Sequence, residues 1–241
     1  MSDRTRHAQR LFAGIAPEYE RMGALLSLGQ DARWRRAMVS NVNAVPGSLV
    51  LDVASGTGLV ARELASRKRV RVIQLDPSEA MLRAGVLSTD RMGLAPQISQ
   101  VLGRAERLPF PDGTFDSVTF TYLLRYVDEP EAAVAELARV VRAGGTLACV
   151  EFYPPDGPFA HAGWWGYTRL MMPLVGAAVS PAWRHTGRFL GPSITGFYRR
   201  YPLPEQVRWW HAAGLRHVRT RVMSLGAGIV IWAVKGGPRV L

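Results

Sequence analysis

The chain has a single cysteine, Cys149, in 241 residues. It lies in an apolar run with nothing to pair with, so no disulfide framework exists and a reducing cytoplasm is the expected compartment. Five histidines show no metal-ligand spacing, and with one thiol no zinc or other metal site can be proposed. Lysine is almost missing. Only Lys68 and Lys235 occur, so the net charge of +11 is carried by arginine. That balance points either to an anionic partner (nucleic acid, anionic lipid or a polyanionic substrate) or to a plain compositional preference for arginine. No apolar run approaches the roughly 18 residues of a spanning helix. The N-terminus, with Arg4, Arg6, His7 and Arg10, has no apolar segment of the signal-peptide kind. A chain that is soluble or lies on a membrane surface is expected. Its 48% hydrophobic residues exclude a disordered polymer, and its length supports a full core.

What is present centres on residues 49–58, Leu-Val-Leu-Asp-Val-Ala-Ser-Gly-Thr-Gly. Leu49, Val50, Leu51 and Val53 read as a parallel strand covered on both faces. Asp52 interrupts it, and a carboxylate there needs nearby backbone N–H groups or a cationic ligand to compensate it. Gly56 and Gly58 permit a left-handed turn and close backbone approach, and helical spacing resumes at Leu59. The turn does not end in Gly-Lys-Ser/Thr, which excludes a phosphate loop, and Ala61 stands where a dinucleotide fingerprint has its third glycine. A second apolar run ends in Asp76, where a doubly wound sheet places a carboxylate able to chelate ribose hydroxyls.

These residues carry a resemblance. Asp-Val-Ala-Ser-Gly-Thr-Gly at 52–58, Leu-Asp-Pro-Ser-Glu-Ala-Met-Leu at 75–82 and Leu-Pro-Phe-Pro-Asp-Gly-Thr-Phe-Asp at 108–116 resemble class I S-adenosylmethionine-dependent methyltransferases, and more narrowly the ubiquinone/menaquinone-biosynthesis C-methyltransferases. The N-terminal segment from Phe12 to Arg36 and Gly-Ala-Gly-Ile-Val at 226–230 are similar to that family's ends. The resemblance implies a Rossmann-like α/β fold: a doubly wound, seven-stranded, mostly parallel sheet with a helical N-terminal cap and a helical lid insertion. It implies S-adenosyl-L-methionine as cofactor, held by Asp52, Ala54, Ser55, Gly56, Thr57, Gly58, Asp76, Pro77, Met81, Arg104, Ala105, Glu106 and Thr121. Arg104 stands where the family has an acidic or amide side chain for the adenine amino group, and a guanidinium accepts no hydrogen bond. Adenine recognition is therefore expected on backbone groups around Ala105 or on Glu106.

In order, the expectation is a helical cap (1–45), a cofactor-binding core (46–153), a lid or acceptor insertion (154–200) and a closing helix with two strands (201–241), all in one methyltransferase domain. Residues 154–200 read as the least regular part, with Trp164, Trp165 and an apolar run from Leu170 to Trp183 broken at Pro173. That run suits an interfacial lid helix or, equally, a core or homodimer-interface helix. At the end of the fourth strand, expected to run through Tyr122, the chain lacks the Asn/Asp-Pro-Pro-Tyr of many base-amine methyltransferases. Nucleic acid is thus disfavoured, and a small-molecule or lipid acceptor, with an anionic membrane surface as a second partner, is expected.

The arginine of the family's Gly-Leu-Arg-Asn stretch matches Arg125, which would orient a water and stabilise a phenolate. The family's acceptor-side tyrosine matches Tyr19, which could equally be a packed aromatic. Tyr122, Tyr126 and Trp183 are expected at the acceptor. Two departures alter that pocket. Tyr126 replaces an asparagine, and His185-Thr186-Gly187 replaces the family's Asp-Ala-Tyr, which makes His185 a second candidate base. The expected reaction is C-methylation of a quinol or phenol that can carry a prenyl chain, with O- or N-methylation of a small metabolite or phospholipid as the alternative.

Overall fold

The computed structural model describes residue 6 and residues 11–237. Alternating apolar strands and amphipathic helices from residue 49 onward produce a seven-stranded sheet in the order β3-β2-β1-β4-β5-β7-β6. The strands are β1 (Leu49–Val53), β2 (Arg71–Asp76), β3 (Ile98–Leu102), β4 (Phe115–Thr121), β5 (Val141–Phe152), β6 (Leu215–Met223) and β7 (Gly228–Lys235). The first five pair in parallel, and β7 runs antiparallel between β5 and β6. The order reverses between β1 and β4, so the crevice beyond their carboxyl ends is where such a sheet binds ligands.

The helices are α1 (Tyr19–Leu26), α2 (Gln30–Ser40), α3 (Leu59–Lys68), α4 (Glu79–Arg91), α5 (Pro130–Arg139), α6 (Pro158–Gly166), α7 (Met172–Val179), α8 (Pro181–Arg200) and α9 (Leu203–Ala212). Residues 11–15 are also helical and run into a tight turn, Ala16–Glu18, at Pro17. One sheet face buries Leu51, Val53, Phe120, Leu137 and Trp210 beneath α5 and α9. The other buries Val50, Val72, Leu64, Trp34 and Met38 beneath α2 and α3. A third cluster joins the N-terminal helices to the 158–200 helices through Ile15, Met22, Leu26, Met172 and Trp183.

Residues 158–200 are far more regular than their prolines suggest. Pro158 and Pro181 occupy first helical positions, where the missing N–H would be unsatisfied anyway. Pro173 does not break the apolar run either. A π-helical stretch, Tyr167–Met171, carries the backbone straight into α7, and the real break comes at Ser180, whose side chain caps α8 by accepting from the Trp183 N–H. In the described residues no helix is long and apolar enough to cross a membrane. The fourth strand stops at Thr121, one residue earlier than the pattern suggests, because Tyr122 turns into left-handed backbone at φ 55°.

Two glycines fix how tightly the turn after β1 is held. Gly58 lies at φ 83°, and a Cβ there would sit 1.8 Å from Nε2 of buried Gln74. Gly85, in mid-α4, approaches the Thr57 carbonyl so closely that a Cβ would lie 2.0 Å from that oxygen. Gly85→Ala must push α4 away from the turn, and we expect a loss of about 1–3 kcal/mol, the scale of overpacking. A shift of the urea midpoint at constant slope would register it.

Candidate functional site

Two adjoining cavities open beyond the carboxyl ends of β1, β2 and β4. The first, about 920 Å³ including its open mouth, is lined by the turn (Ala54, Ser55, Gly56, Thr57), by Asp76, Pro77, Ser78 and Met81, by Arg104, Ala105 and Glu106, and by Thr121 and Tyr122. Phe12, Tyr19 and Arg35 cover it from the N-terminal helices. The turn adopts this shape because Ala54, Gly56 and Gly58 all take positive φ. Asp76 then pins it. Its Oδ2 accepts from the Gly56 N–H and its Oδ1 from the Ser78 N–H, each at 2.8 Å. Burial raises the Asp76 pKa to about 6, against the opposing pull of those two amides. Each oxygen keeps a lone pair for a hydroxyl donor.

The hydroxyls of Ser55 and Thr57 are buried without a hydrogen-bond partner among the described residues. Buried polar groups ordinarily find partners, so a cavity walled by two such hydroxyls and a glycine turn suits a polar ligand. These donors and acceptors, with Asp76 beside them, fit the amino-acid and ribose parts of S-adenosyl-L-methionine. At the far end, Arg104 is turned onto Glu106 in a 2.6 Å ion pair. Ala105, buried between them, lines the cavity.

Asp52 and Gly58 are not among the residues lining this cavity. Asp52 is fully buried under the turn, with Oδ1 accepting from the Thr119 hydroxyl at 2.8 Å. Desolvation lifts its pKa to about 7, partly offset by that hydrogen bond and by the charge of Arg35. Where backbone N–H groups or a cationic ligand were expected, the larger compensation comes from a side-chain hydroxyl on the neighbouring strand, with a smaller part from the Ala61 backbone.

The second cavity, about 1590 Å³ including its open mouth, lies between the N-terminal helices and α6–α8. Its wall is mostly apolar: Ile15, Leu26, Trp34, Phe152, Met172 and Ile194 among others. Phe12, Tyr19, Arg35, Leu59, Tyr122 and Tyr126 belong to both cavities and form the seam. Arg125 lines the second cavity, nine-tenths buried, with its guanidinium 4.7 Å from the Tyr126 ring and 5.3 Å from that of Phe152. Its Nη2 donates to the Tyr126 hydroxyl at 3.1 Å, while Nε and Nη1 have no partner among the described residues. Trp183 and Trp164 reach the same cavity with unpartnered indole N–H groups.

His185 does not reach either cavity. On α8, Trp183, Thr186 and Leu190 face the second cavity, and His185 lies between them in sequence on the exposed side of the helix. Of the two departures noted in the sequence, Tyr126 packs against α8 just beyond the other, its ring stacked on Phe189 at 6.2 Å. Tyr19 lies at the seam, its hydroxyl pKa raised by burial.

Several residues of the site carried no recognisable sequence signal. Asp31 and Arg35, on α2, form a buried ion pair at the seam, and the Tyr122 hydroxyl donates to Asp31 Oδ1 at 2.6 Å. Burial, then Asp31, raises the Tyr122 pKa well above the usual phenol range. Glu151, at the end of β5, is buried, and its Oε1 accepts from the amides of Leu123 and Leu124 at 2.7 and 3.2 Å, just before Arg125. Desolvation raises its pKa to about 7 against the pull of Arg125. Arg62 donates to the Thr57 carbonyl and to Glu20, both at 2.6 Å, tying α1 to the turn.

Comparison with known proteins bears on this arrangement. The model of the ubiE/COQ5 methyltransferase family matches residues 1–235. A demethylmenaquinone methyltransferase of Thermobifida fusca is 42% identical over 224 residues, covering 92% of this chain and 91% of that protein. One from Renibacterium salmoninarum is 42% identical over 163 residues, covering 67% of this chain and 64% of that protein. Among solved structures, Haemonchus contortus phosphoethanolamine N-methyltransferase 2 in complex with S-adenosyl-L-methionine superposes with a TM-score of 0.63 at 13% identity, covering 85% of this chain and 53% of that one, a likeness of fold alone.

Asp76→Ala removes a carboxylate that both shapes the turn and offers lone pairs to the cavity. Calorimetry with S-adenosyl-L-methionine should show binding weakened by about 1.5–3 kcal/mol, the scale of hydrogen bonds to a charged group. Unchanged affinity would remove Asp76 from the site.

Proposed function

Because the chain belongs to the ubiE/COQ5 methyltransferase family and is thus an S-adenosylmethionine-dependent methyltransferase, we propose that it methylates a ring carbon of a quinol bearing an apolar prenyl tail. One observation carries the choice of acceptor. In the second cavity, every buried side-chain atom without a partner among the described residues is a donor: Arg125 Nε and Nη1, Trp164 Nε1 and Trp183 Nε1. An otherwise apolar chamber with only donors left over suits an apolar ring that carries oxygens, and a tail with no polar groups. The names of the relatives, demethylmenaquinone methyltransferases, agree with this reading.

When bound, S-adenosyl-L-methionine supplies an already activated methyl on a sulfonium centre. The work left to the protein is alignment, exclusion of water and handling of charge on the acceptor. In this assignment Ser55, Thr57, Asp76 and the backbone at Ala105 hold the cofactor. The seam residues Tyr19, Tyr122 and Tyr126 place the acceptor ring, and Arg125 donates to oxygen as negative charge develops there. His185, on the outer side of α8, has no part in it.

Incubation with labelled S-adenosyl-L-methionine and a reduced, short-tailed demethylated naphthoquinol tests the reading. Mass spectrometry should find the label on a ring carbon, and label on oxygen would overturn C-methylation. Arg125→Met should keep cofactor affinity and lower turnover about 10²-fold or more, the scale of one electrostatic group. Turnover equal to the parent enzyme would remove it from the reaction.

The mouth of the second cavity suggests how a prenylated acceptor arrives. Leu28 and Leu225 both line the cavity and are 72% and 92% exposed, and Phe159 is 92% exposed beside lining residue Ala160. The elements that wall this cavity also carry exposed arginines: Arg33 and Arg36 on α2, Arg169 before α7, Arg184 and Arg188 on α8. Exposed apolar side chains and exposed cations on the same group of elements suit an anionic lipid surface. Arg4, His7 and Arg10, which would add to this charge, lie outside the described residues. Sedimentation with anionic vesicles at low salt should pull the protein down, and Leu28→Asp with Leu225→Asp should release it. Equal recovery in the supernatant with neutral and anionic vesicles would count against membrane docking.

A further inference from the structure

A polar cluster at the seam is of the opposite kind to the donors of the second cavity. Asp31 is the one carboxylate among the described residues lining that cavity. Its Oδ1 takes the Tyr122 hydroxyl proton in a 2.6 Å hydrogen bond, and Arg35 holds it in a buried ion pair. Tyr122 and Arg35 face both cavities. The Tyr122 ring is stacked on Phe152 with centroids 4.3 Å apart and interplanar angle 17°. Ring stack and left-handed backbone together fix where the hydroxyl points. A tyrosine hydroxyl has one proton and two lone pairs. With its proton committed to Asp31, the oxygen offers the seam only lone pairs.

Resting on the acceptor proposed above, the geometry points to Tyr122, backed by Asp31, as the group that takes the proton of the acceptor hydroxyl next to the reacting carbon. Arg125 lines only the second cavity and cannot accept a proton, so the two residues divide the task. Arg125 donates to oxygen, and Tyr122 accepts from it.

The step balances. The acceptor O–H bond breaks as its proton passes to Tyr122 Oη, while the Tyr122 proton moves to Asp31 Oδ1. The electron pair left on the acceptor oxygen feeds into the ring, whose carbon bonds to the methyl as the carbon–sulfur bond breaks. That bond's pair stays on sulfur, which changes from sulfonium to thioether. The methylated carbon then gives up its hydrogen as a proton to water. The freed pair restores the aromatic ring, and the oxygen recovers its proton from Asp31 through Tyr122. One proton is released per turnover and nothing is oxidised or reduced. Between turnovers the Arg35 guanidinium holds the Asp31 carboxylate in the buried ion pair, with Oδ1 left to accept from Tyr122.

Tyr122→Phe keeps the ring stack on Phe152 and removes only the hydroxyl, so it probes chemistry in a chain that still folds. With the demethylated naphthoquinol, Tyr122→Phe and Asp31→Asn should each lower kcat about 10²-fold or more, with acceptor KM and cofactor affinity changed by less than about threefold. The double variant should be no slower than the slower single one, because the two act as a unit. A Tyr122→Phe kcat within about threefold of the parent, or losses that multiply in the double variant, would overturn the relay and leave the acceptor standing. Failure of the parent enzyme to methylate any quinol would instead remove the acceptor reading. The relay is then read on 1-naphthol bound beside S-adenosylhomocysteine: its phenolate absorbance should appear at lower pH with the parent chain than with Tyr122→Phe, and the same pH in both would overturn it.

Discussion

The close approach of backbone to backbone around the turn after β1 is the constraint on which the rest of the site depends. Gly58 leaves room for the Gln74 amide, Gly85 lets α4 reach the Thr57 carbonyl, and Asp76 ties the Gly56 amide to the start of α4. These contacts join β1, β2 and α4 into one rigid corner. Arg62 extends it outward, since a single buried guanidinium holds both the Thr57 carbonyl and Glu20 of α1. The N-terminal helices are thereby referenced to the turn itself. A misplaced turn would shift Tyr19 and Arg35 as well as the first cavity's floor.

On the other side, Glu151 performs a similar service for the segment after β4. Its carboxylate gathers the Leu123 and Leu124 amides, which sets the backbone just before Arg125 and Tyr126. Buried carboxylates thus brace both halves of the site, each with a pKa raised by burial and opposed by the hydrogen bonds it accepts. The alternation along β1 explains why Asp52 belongs with these structural groups. It shares a face with Val50 and points beneath α3, while the chain turns toward the cavity only from Ala54 onward.

The sheet was legible because strand and helix periods are local properties of the sequence, and the glycine turn because few other arrangements need Gly56 and Gly58 with Asp76 beyond them. The helical lid was legible, but its regularity was not, for a physical reason: prolines at helix first turns and prolines in irregular loops look alike until caps such as Ser180 are placed. His185 was separable in principle. Trp183, Thr186, Gly187 and Leu190 mark one helical stripe, and residue 185 falls outside it. Asp31 had no such marker, since it sits in a strongly basic helix and meets Tyr122 only through tertiary packing across 91 residues.

Six side chains, Phe12, Tyr19, Arg35, Leu59, Tyr122 and Tyr126, serve as wall for both cavities. Among the described residues these shared side chains lie between the two chambers, so fragments bound on either side of them are close enough to be joined by a short linker. Tethering a nucleoside-bearing fragment to an apolar aromatic fragment turns the second binding event into an intramolecular one, with an effective concentration in the millimolar range for a short linker. Selectivity of such a bisubstrate inhibitor would come from the acceptor chamber, where Tyr126 replaces the asparagine of the family pattern.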